Sequence, residues 1–321
     1  MINYFIRDIN YDTVAFLGIM TAFVLTLILL WKCTGILPKD MGRAYAHDGS
    51  LSAGKPRGAG FLFVLVFVSA AAIFAKMNVE ITIYLILVIA AMMTGFLDDC
   101  AKAPWGEYKK GLLDLIIAVM LAVTFLNFNP NEIYIAIADK QVTIPKVVFG
   151  ILIVILVWVS INVTNCSDGV DGLSGTLTII TLSTVYVISL IRGMDARFSY
   201  VILIFIVCIL GYLWHNATPS RLLMGDAGSR AMGLFIAAAV LKSGSPVLYL
   251  LVAAVLILDG GIGLVKVFLL RFFKIHILKE VRTPLHDHVR KVWDWSNTHT
   301  VFRFAIIQIV ISIAAIYLVL Y

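Results

Sequence analysis

The stretch ITIYLILVIAAMMTGFLDD, residues 81–99, is a predominantly apolar run that ends in two adjacent aspartates. About 20 apolar residues in a helix cross the roughly 30 Å of hydrocarbon in a bilayer. The run over residues 81–97 therefore predicts a transmembrane helix. Asp98 and Asp99 follow it directly, and carboxylates at the end of a membrane helix are costly unless they have a function.

The same criterion predicts about ten transmembrane helices along the chain. They lie near residues 13–32, 58–75, 81–97, 112–128, 145–161, 172–191, 198–214, 228–242, 246–270 and 299–321. The chain is 61% hydrophobic and only 14% charged, more apolar than a soluble domain. We therefore expect an all-α polytopic membrane protein, with residues 1–321 in one integral-membrane domain. Residues 246–270 contain Asp259 and three glycines, so this helix is expected to be broken or to extend beyond the membrane.

Lys and Arg residues set the predicted orientation, because they concentrate in cytoplasmic loops. With the N-terminus outside and the runs alternating, the inner loops hold more than twice as many of these residues as the outer ones. This distribution predicts that both termini lie outside. The net charge of +6 is assigned to these loops and to anionic lipid headgroups, and no nucleic-acid partner is expected.

Most of the polar residues that could carry chemistry fall in the loops assigned to the inside. They are Asp98, Asp99, Asn162, Asn165, Asp168, Asp171, Asn216, Asp226, His286 and His288. Their concentration on one side predicts a catalytic cleft at the cytoplasmic face. Carboxylates are ligands that Mg²⁺ prefers, while His, Lys and Arg can contact phosphates. This combination is typical of phosphoryl transfer, and the absence of a G-x-x-x-x-G-K-[ST] loop does not favour ATP hydrolysis.

Several of these residues also have structural interpretations. An isolated Asp-Asp pair can be a solvated helix end, and Asp171 or Asp226 can cap the helix that follows it. The loop over residues 52–60, with Lys55 and Arg57 among glycines, suits phosphates or lipid headgroups but equally a membrane anchor. Gly225 lets backbone amides approach an anion. Asp114 and Asp259 lie within predicted helices, where a buried polar contact is the alternative to a function.

The ordered set of motifs resembles a known family. The motifs are Gly95-Phe-Leu-Asp98-Asp99-x-x-Lys102, Asn162-x-x-Asn165-x-x-Asp168-Gly-x-Asp171-Gly172-Leu173, Asn216, Met224-Gly225-Asp226-x-Gly228-Ser229 and Pro284-Leu285-His286-x-His288. They resemble the polyprenyl-phosphate N-acetylhexosamine-1-phosphate transferases, and within them the phospho-N-acetylmuramoyl-pentapeptide-transferase (MraY-type) branch. The resemblance covers nearly the whole chain.

The resemblance implies a Mg²⁺-dependent, ten-helix enzyme of peptidoglycan synthesis in the bacterial inner (cytoplasmic) membrane. Its implied partners are UDP-MurNAc-pentapeptide as donor, undecaprenyl phosphate as acceptor, the surrounding membrane lipid and a second copy of the chain in a homodimer. The implied products are lipid I and UMP. The implied topology, with both termini periplasmic, agrees with the distribution of basic residues.

Site residues are also implied by position. Asp226 would be the main Mg²⁺ ligand, and Asp98 with Asp99 would activate the acceptor, Asp98 as the base. The nucleotide and pyrophosphate would be bound by Asn162, Asn165, Asp168, Asp171 and Asn216, with Lys102 and Lys109 on nucleotide or phosphate. His286 and His288 would flank the metal or the donor sugar.

The sequence departs from the family pattern at three positions. A run of three His reads His286-Asp287-His288 here, Arg57 stands in the family's Pro-Thr-Met-Gly-Gly segment, and Leu223 replaces a common Phe. No family role is transferred to Asp287, Arg57 or Leu223.

Three alternatives remain open. The donor could be UDP-GlcNAc, which would pass GlcNAc-1-phosphate to the same carrier. The reaction could use a phosphoryl-aspartate intermediate in place of direct attack. An ion-coupled secondary transporter is the alternative from another class, although its charged residues are expected deep within the helices.

Overall fold

The computed structural model describes residues 10–42, 52–101, 103 and 105–320, which form a helical bundle with one small β-hairpin. The helices are α1 (Tyr11–Lys32), α2 (Gly60–Phe74), α3 (Val79–Asp99), α4 (Glu107–Phe128), α5 (Lys146–Cys166), α6 (Leu173–Ile191), α7 (Ala196–Asn216), α8 (Gly225–Lys242), α9 (Pro246–Val252), α10 (Ala254–Phe273), α11 (Leu285–Val292) and α12 (Asn297–Leu320). The hairpin strands are β1 (Glu132–Ile135) and β2 (Lys140–Thr143).

Seven of the described helices are long and apolar enough to cross a membrane, namely α1, α3, α4, α5, α6, α7 and α12. The bent pair α9 and α10 is an eighth candidate. Each of the ten predicted runs coincides with a helix or, for residues 246–270, with this bent pair. However, α2 has only 15 residues, and α8 carries three charged residues within 18. The polytopic helical class is confirmed, with seven or eight candidate spans in the described part of the chain.

Contacts between helix ends define the two ends of the bundle. Glu80 near the start of α3, Asn129 after α4 and Lys242 at the end of α8 meet at one end. Lys242 Nζ lies 3.0 Å from Glu80 Oε2 and 2.8 Å from Asn129 Oδ1. The end of α3, the start of α4 and the start of α8 meet at the other end, around Asp98. Thus α4 and α8 run in the same direction, and α3 runs antiparallel to both.

Helix α8 is buried along nearly its whole length, from Gly225 to Leu241. It packs on α3 and α5, and small residues allow close approach. A Cβ atom on Gly60 of α2 would overlap the backbone of Gly228, and a Cβ on Gly233 would overlap that of Ser160. The predicted helix over residues 228–242 therefore faces other helices and not lipid along most of its length.

A polar glutamine from α12 stabilises the break between α9 and α10, whose axes differ by 72°. Gln308 Nε2 donates to the carbonyl of Leu251 (3.0 Å), and its Oε1 accepts from the Val255 N–H (2.9 Å). Backbone polar groups without hydrogen bonds are energetically unfavourable in hydrocarbon. The fully buried Gln308 side chain supplies the hydrogen bonds that the backbone loses at the break. The predicted break within residues 246–270 is confirmed, and α10 also extends to Phe273.

The hairpin is the one departure from an all-α fold among the described residues. Strands β1 and β2 pair antiparallel, with Glu132 opposite Thr143 and Ile135 opposite Lys140. They connect α4 to α5 at the end of the bundle that holds Asn129. The strands have four residues each, too short for the alternating pattern of a strand to stand out beside the long apolar runs.

Candidate active site

The acidic pair at the end of α3 is held by groups from three other segments. Asp98 accepts a hydrogen bond from the Trp105 N–H (2.7 Å) and forms an ion pair with Lys110 of α4. Asp99 Oδ1 accepts from Arg57 Nε (2.8 Å), and its Oδ2 accepts from the Ala227 N–H (3.2 Å). The two neighbouring carboxylates are therefore stabilised separately, each beside its own cation.

Asp226, in the first turn of α8, lies between three cationic side chains. Its nearest contacts are Lys110 Nζ at 3.1 Å, Arg57 Nη2 at 3.5 Å and Arg230 Nε at 3.9 Å. The preceding Gly225 has φ +69°, and a Cβ there would overlap the Asp99 carboxylate. Glycine is thus required both by the backbone conformation and by the close approach of the acidic pair.

These contacts join eight charged side chains into one ion-pair network. Arg57 also contacts Asp40 (3.1 Å), and Arg230 also contacts Asp114 (2.7 Å). The members are Asp40, Arg57, Asp98, Asp99, Lys110, Asp114, Asp226 and Arg230. Five carboxylates face three cations, so the network carries two negative charges in excess.

Two members lie outside the membrane-spanning helices, and their charges stabilise each other. Partial burial alone would lower the pKa of Arg57, but the neighbouring Asp99 and Asp226 raise that pKa above its usual range. Burial alone would raise the pKa of Asp40, but hydrogen bonds from Ser52 (2.6 Å) and Arg57 hold it below its usual range. Both groups are therefore firmly charged at neutral pH.

The loop between α5 and α6 lies beside this network. Asn165 Nδ2 donates to Ser229 Oγ of α8 (2.9 Å), and Asp171 Oδ2 accepts from the Ser220 N–H (3.2 Å). Half-buried Asp168 lies between them in the chain. Asn162, in the last turns of α5, donates to the carbonyl of Trp158 (2.8 Å). The structure thus joins the loop after α5 to the start of α8 through Asn165 and to the loop after α7 through Asp171.

Asn216 connects two of the loops through its amide group. Its Oδ1 accepts from the Gly172 N–H (2.8 Å), and its Nδ2 donates to the carbonyl of Leu222 (2.9 Å). Both ends of the side chain therefore bind backbone. This arrangement fixes the loop after α5 against the loop after α7, and it gives Asn216 a structural part in forming the site.

The two predicted histidines occupy different surroundings on α11. His286 is buried, and its Nδ1 lies 2.9 Å from Asp259 Oδ2. His288 is half-buried, and its Nδ1 accepts a hydrogen bond from the Arg282 N–H (3.3 Å). Only His286 faces the interior, toward the loop after α5.

Of the two predicted lysines, Lys102 lies outside the described residues, and Lys109 contacts an aromatic ring. Lys109 Nζ lies 3.3 Å from the centre of the Trp105 ring. The neighbouring Lys110 is the lysine that reaches Asp98 and Asp226.

Sequence reasoning did not single out Lys110 or Arg230, and it assigned no partners to Asp40 and Asp114. Helical spacing was an available signal, because Lys110 and Asp114 are four residues apart on α4, and Asp226 and Arg230 are four apart on α8. Side chains at this spacing share a helix face. The ion pairs between the helices, however, depend on tertiary packing.

The donor set of the network fits a hard divalent cation. Among the described residues, no three His, Cys, Asp or Glu side chains are arranged to hold a metal ion by themselves. Mg²⁺ does not require such a cage, since one or two carboxylates plus substrate phosphates hold it in many phosphoryl-transfer sites. Asp226 and the excess negative charge of the network meet this smaller requirement.

Comparisons with known proteins identify the family of this chain. The family described as Glycosyl transferase family 4 matches residues 81–244, which contain the acidic pair, the loop after α5 and Asp226. The phospho-N-acetylmuramoyl-pentapeptide-transferase of Treponema pallidum (strain Nichols) is 40% identical over 323 residues, covering 95% of this chain and 89% of that protein. Proteins of the same name from Dictyoglomus turgidum and Rubrobacter xylanophilus are each 25% identical, covering 96% and 91% of this chain and 98% and 93% of their own length. The predicted resemblance is confirmed, and the chain belongs to glycosyl transferase family 4 and, within it, to the phospho-N-acetylmuramoyl-pentapeptide-transferases.

Proposed function

We propose that this protein transfers phospho-MurNAc-pentapeptide from UDP-MurNAc-pentapeptide to undecaprenyl phosphate, giving lipid I and UMP in peptidoglycan synthesis. The observation that carries the proposal is the ion-pair network, in which Arg57 and Lys110 both contact Asp226 and each contacts one member of the acidic pair. Phosphoryl transfer needs positive charge on the phosphates and a carboxylate near the attacking group. Family membership favours this donor and acceptor.

Direct attack of the lipid phosphate on the β-phosphate of the donor is the proposed route. Asp98 is proposed to accept the proton of the acceptor, as family membership implies, and its side chain is slightly exposed whereas that of Asp99 is completely buried. Arg57 and Lys110 place positive charge beside the reacting phosphates. A covalent phosphate trapped on an aspartate during turnover without acceptor would reject direct attack.

Mg²⁺ is the proposed cofactor, with Asp226 as its main ligand. When bound, the ion would supply positive charge beside the pyrophosphate of the donor. Its two charges would balance the two negative charges in excess in the network. Asn162, Asn165, Asp168 and Asp171 are proposed to line the donor site, and His286 borders it.

The proposed setting is the bacterial inner membrane, with ten crossings, both termini outside and the site at the cytoplasmic face. Seven apolar helices and the bent pair are candidates for eight of these crossings. The short α2 and the buried α8 would provide the other two. A homodimer is proposed from family membership.

Release of UMP by the purified full-length protein tests the donor and the metal. We expect turnover with UDP-MurNAc-pentapeptide and undecaprenyl phosphate in the presence of Mg²⁺, and none after chelation. Turnover with UDP-GlcNAc alone would overturn the donor, and an undiminished rate after chelation would overturn the cofactor.

The role of Asp226 is tested by Asp226→Asn, which keeps the shape of the side chain but removes its charge. We expect activity to be abolished while the thermal unfolding transition persists. Asp139→Asn is the matched control, because Asp139 is exposed on the hairpin, and asparagine tolerates its left-handed conformation (φ 45°). A wild-type rate in Asp226→Asn would remove Asp226 from the metal site.

A further inference from the structure

Asp259 is a fully buried carboxylate within the membrane bundle, and its contacts converge on one residue. It accepts a hydrogen bond from the backbone N–H of His286 (2.8 Å). Its two oxygens also lie 3.1 Å and 2.9 Å from Nδ1 of the same residue. Asp259 belongs to a π-helical turn of α10, Ile257–Gly261, and such turns often occur at functional sites.

The chemistry of this contact selects one tautomer of His286. An ionised carboxylate can only accept hydrogen bonds, so Nδ1 must carry the proton that lies between the two groups. A neutral imidazole has one proton, which leaves Nε2 with a free lone pair. Asp259 therefore determines which ring nitrogen is available for other partners.

The opposite edge of the ring faces the loop between α5 and α6. A Cβ atom on Gly169 would overlap Nε2 of His286, so only glycine leaves room for the ring. The π-helical turn packs closely against the end of α5, where a Cβ on Gly260 would overlap the backbone of Val163. The imidazole is thus clamped between α10 and the loop that contains Asn165 and Asp168.

We propose that Asp259 is a positioning residue, which holds His286 in the tautomer protonated on Nδ1 and directs Nε2 toward the loop after α5. Nε2 is then the nitrogen that exchanges hydrogen bonds or a proton at the donor site. Only the effect on turnover rests on the proposed function, since the tautomer is a property of the protein alone.

The tautomer can be observed by ¹⁵N NMR of the full-length protein, with ¹⁵N-labelled histidine, in detergent micelles. The spectrum of His286→Gln assigns the signals of His286 among the six histidines. We expect a protonated Nδ1 and an unprotonated Nε2 in the wild type. A wild-type spectrum with the proton on Nε2 would overturn the proposal without any Asp259 variant.

The variant Asp259→Asn should reverse the tautomer. The backbone N–H of His286 requires the amide oxygen in the place of Oδ1, so the amide NH₂ stands in the place of Oδ2, donates to Nδ1 and leaves the proton on Nε2. Asp287→Asn is the control, since Asp287 is adjacent in sequence but pairs with Arg290 and Lys291. Reversal in the control, or retention of the wild-type tautomer in Asp259→Asn, would contradict the proposal.

Kinetics separate positioning from a purely structural role. Outer residues that orient a functional histidine contribute about 10- to 100-fold in activity at metal sites, and we expect a loss of kcat in that range for Asp259→Asn. The KM for the donor should remain nearly unchanged. A raised KM with the wild-type kcat would overturn the role in turnover. Absence of UMP release by the wild type itself would instead reject the proposed function and leave the NMR result to decide the tautomer.

Discussion

Removing one partner of the Asp114–Arg230 ion pair should destabilise the protein strongly. The side chains are only 1% and 5% exposed, and 2.7 Å separates Asp114 Oδ1 from Arg230 Nη1. Breaking a buried pair on one side costs about 3–5 kcal/mol, because a charge remains without its partner. Arg230 retains Asp226 at 3.9 Å, so we expect the lower end for Asp114→Leu, about 3 kcal/mol.

The full double-mutant cycle distinguishes the loss of the ion pair from the loss of side-chain packing. Two apolar residues of similar volume can replace a buried pair at little cost, so Asp114→Leu combined with Arg230→Met should recover most of the loss. Equilibrium unfolding of the purified proteins in mixed micelles with increasing SDS gives the four free energies.

Two results would refute the reasoning. A cost below about 1 kcal/mol for Asp114→Leu would mean that the pair behaves as a solvated one. A double variant as unstable as the single one would mean that Arg230 is not the group left without a partner.

Three further outcomes are expected from the same structure. Arg57→Lys should lower the rate of UMP release by roughly 10- to 100-fold, because one ammonium group cannot reproduce the three contacts of the guanidinium group. A rate near that of the wild type would contradict this prediction. Gly60→Ala should lower the thermal unfolding temperature, because the added Cβ would overlap the backbone of Gly228. The control Gly111→Ala should leave this temperature unchanged, because there is open space around Gly111. Equal effects of the two variants would contradict the close contact at Gly60. Asp40→Asn should destabilise the protein at neutral pH, because the pKa of Asp40 is lowered in the folded protein. The difference from the wild type should begin to shrink below about pH 4, the unfolded pKa, and vanish once the pH has fallen through the lower folded pKa. A difference that persists at low pH would show that the charge of Asp40 is not its source.

The helices were predictable because each depends on a long local run of apolar residues. The run over residues 81–97 corresponds to α3, and the glycines and Asp259 within residues 246–270 indicated a break. The position of that break was not predictable, since it depends on Gln308 from α12, more than 50 residues away.

The site was predictable where its residues cluster along the chain. Asp98, Asp99 and Asp226 were singled out, and the structure brings them together through shared cations. The choice between Lys109 and Lys110 was not predictable, because it depends on which face of α4 meets α8. The contact of Asp259 with His286 was likewise not predictable, because the two residues belong to different segments and meet only in the folded protein.

The hydrogen bonds between Gln308 and the break also bear on the proposed role of His286. The direction in which α10 leaves the bundle is set by a side chain of another helix, and Asp259 follows the break by only six residues. Replacing Gln308 near the middle of α12 should therefore change the orientation of the His286 imidazole without changing any residue proposed to bind substrate. Changes at this buried position of α12 would then alter turnover from outside the proposed donor site.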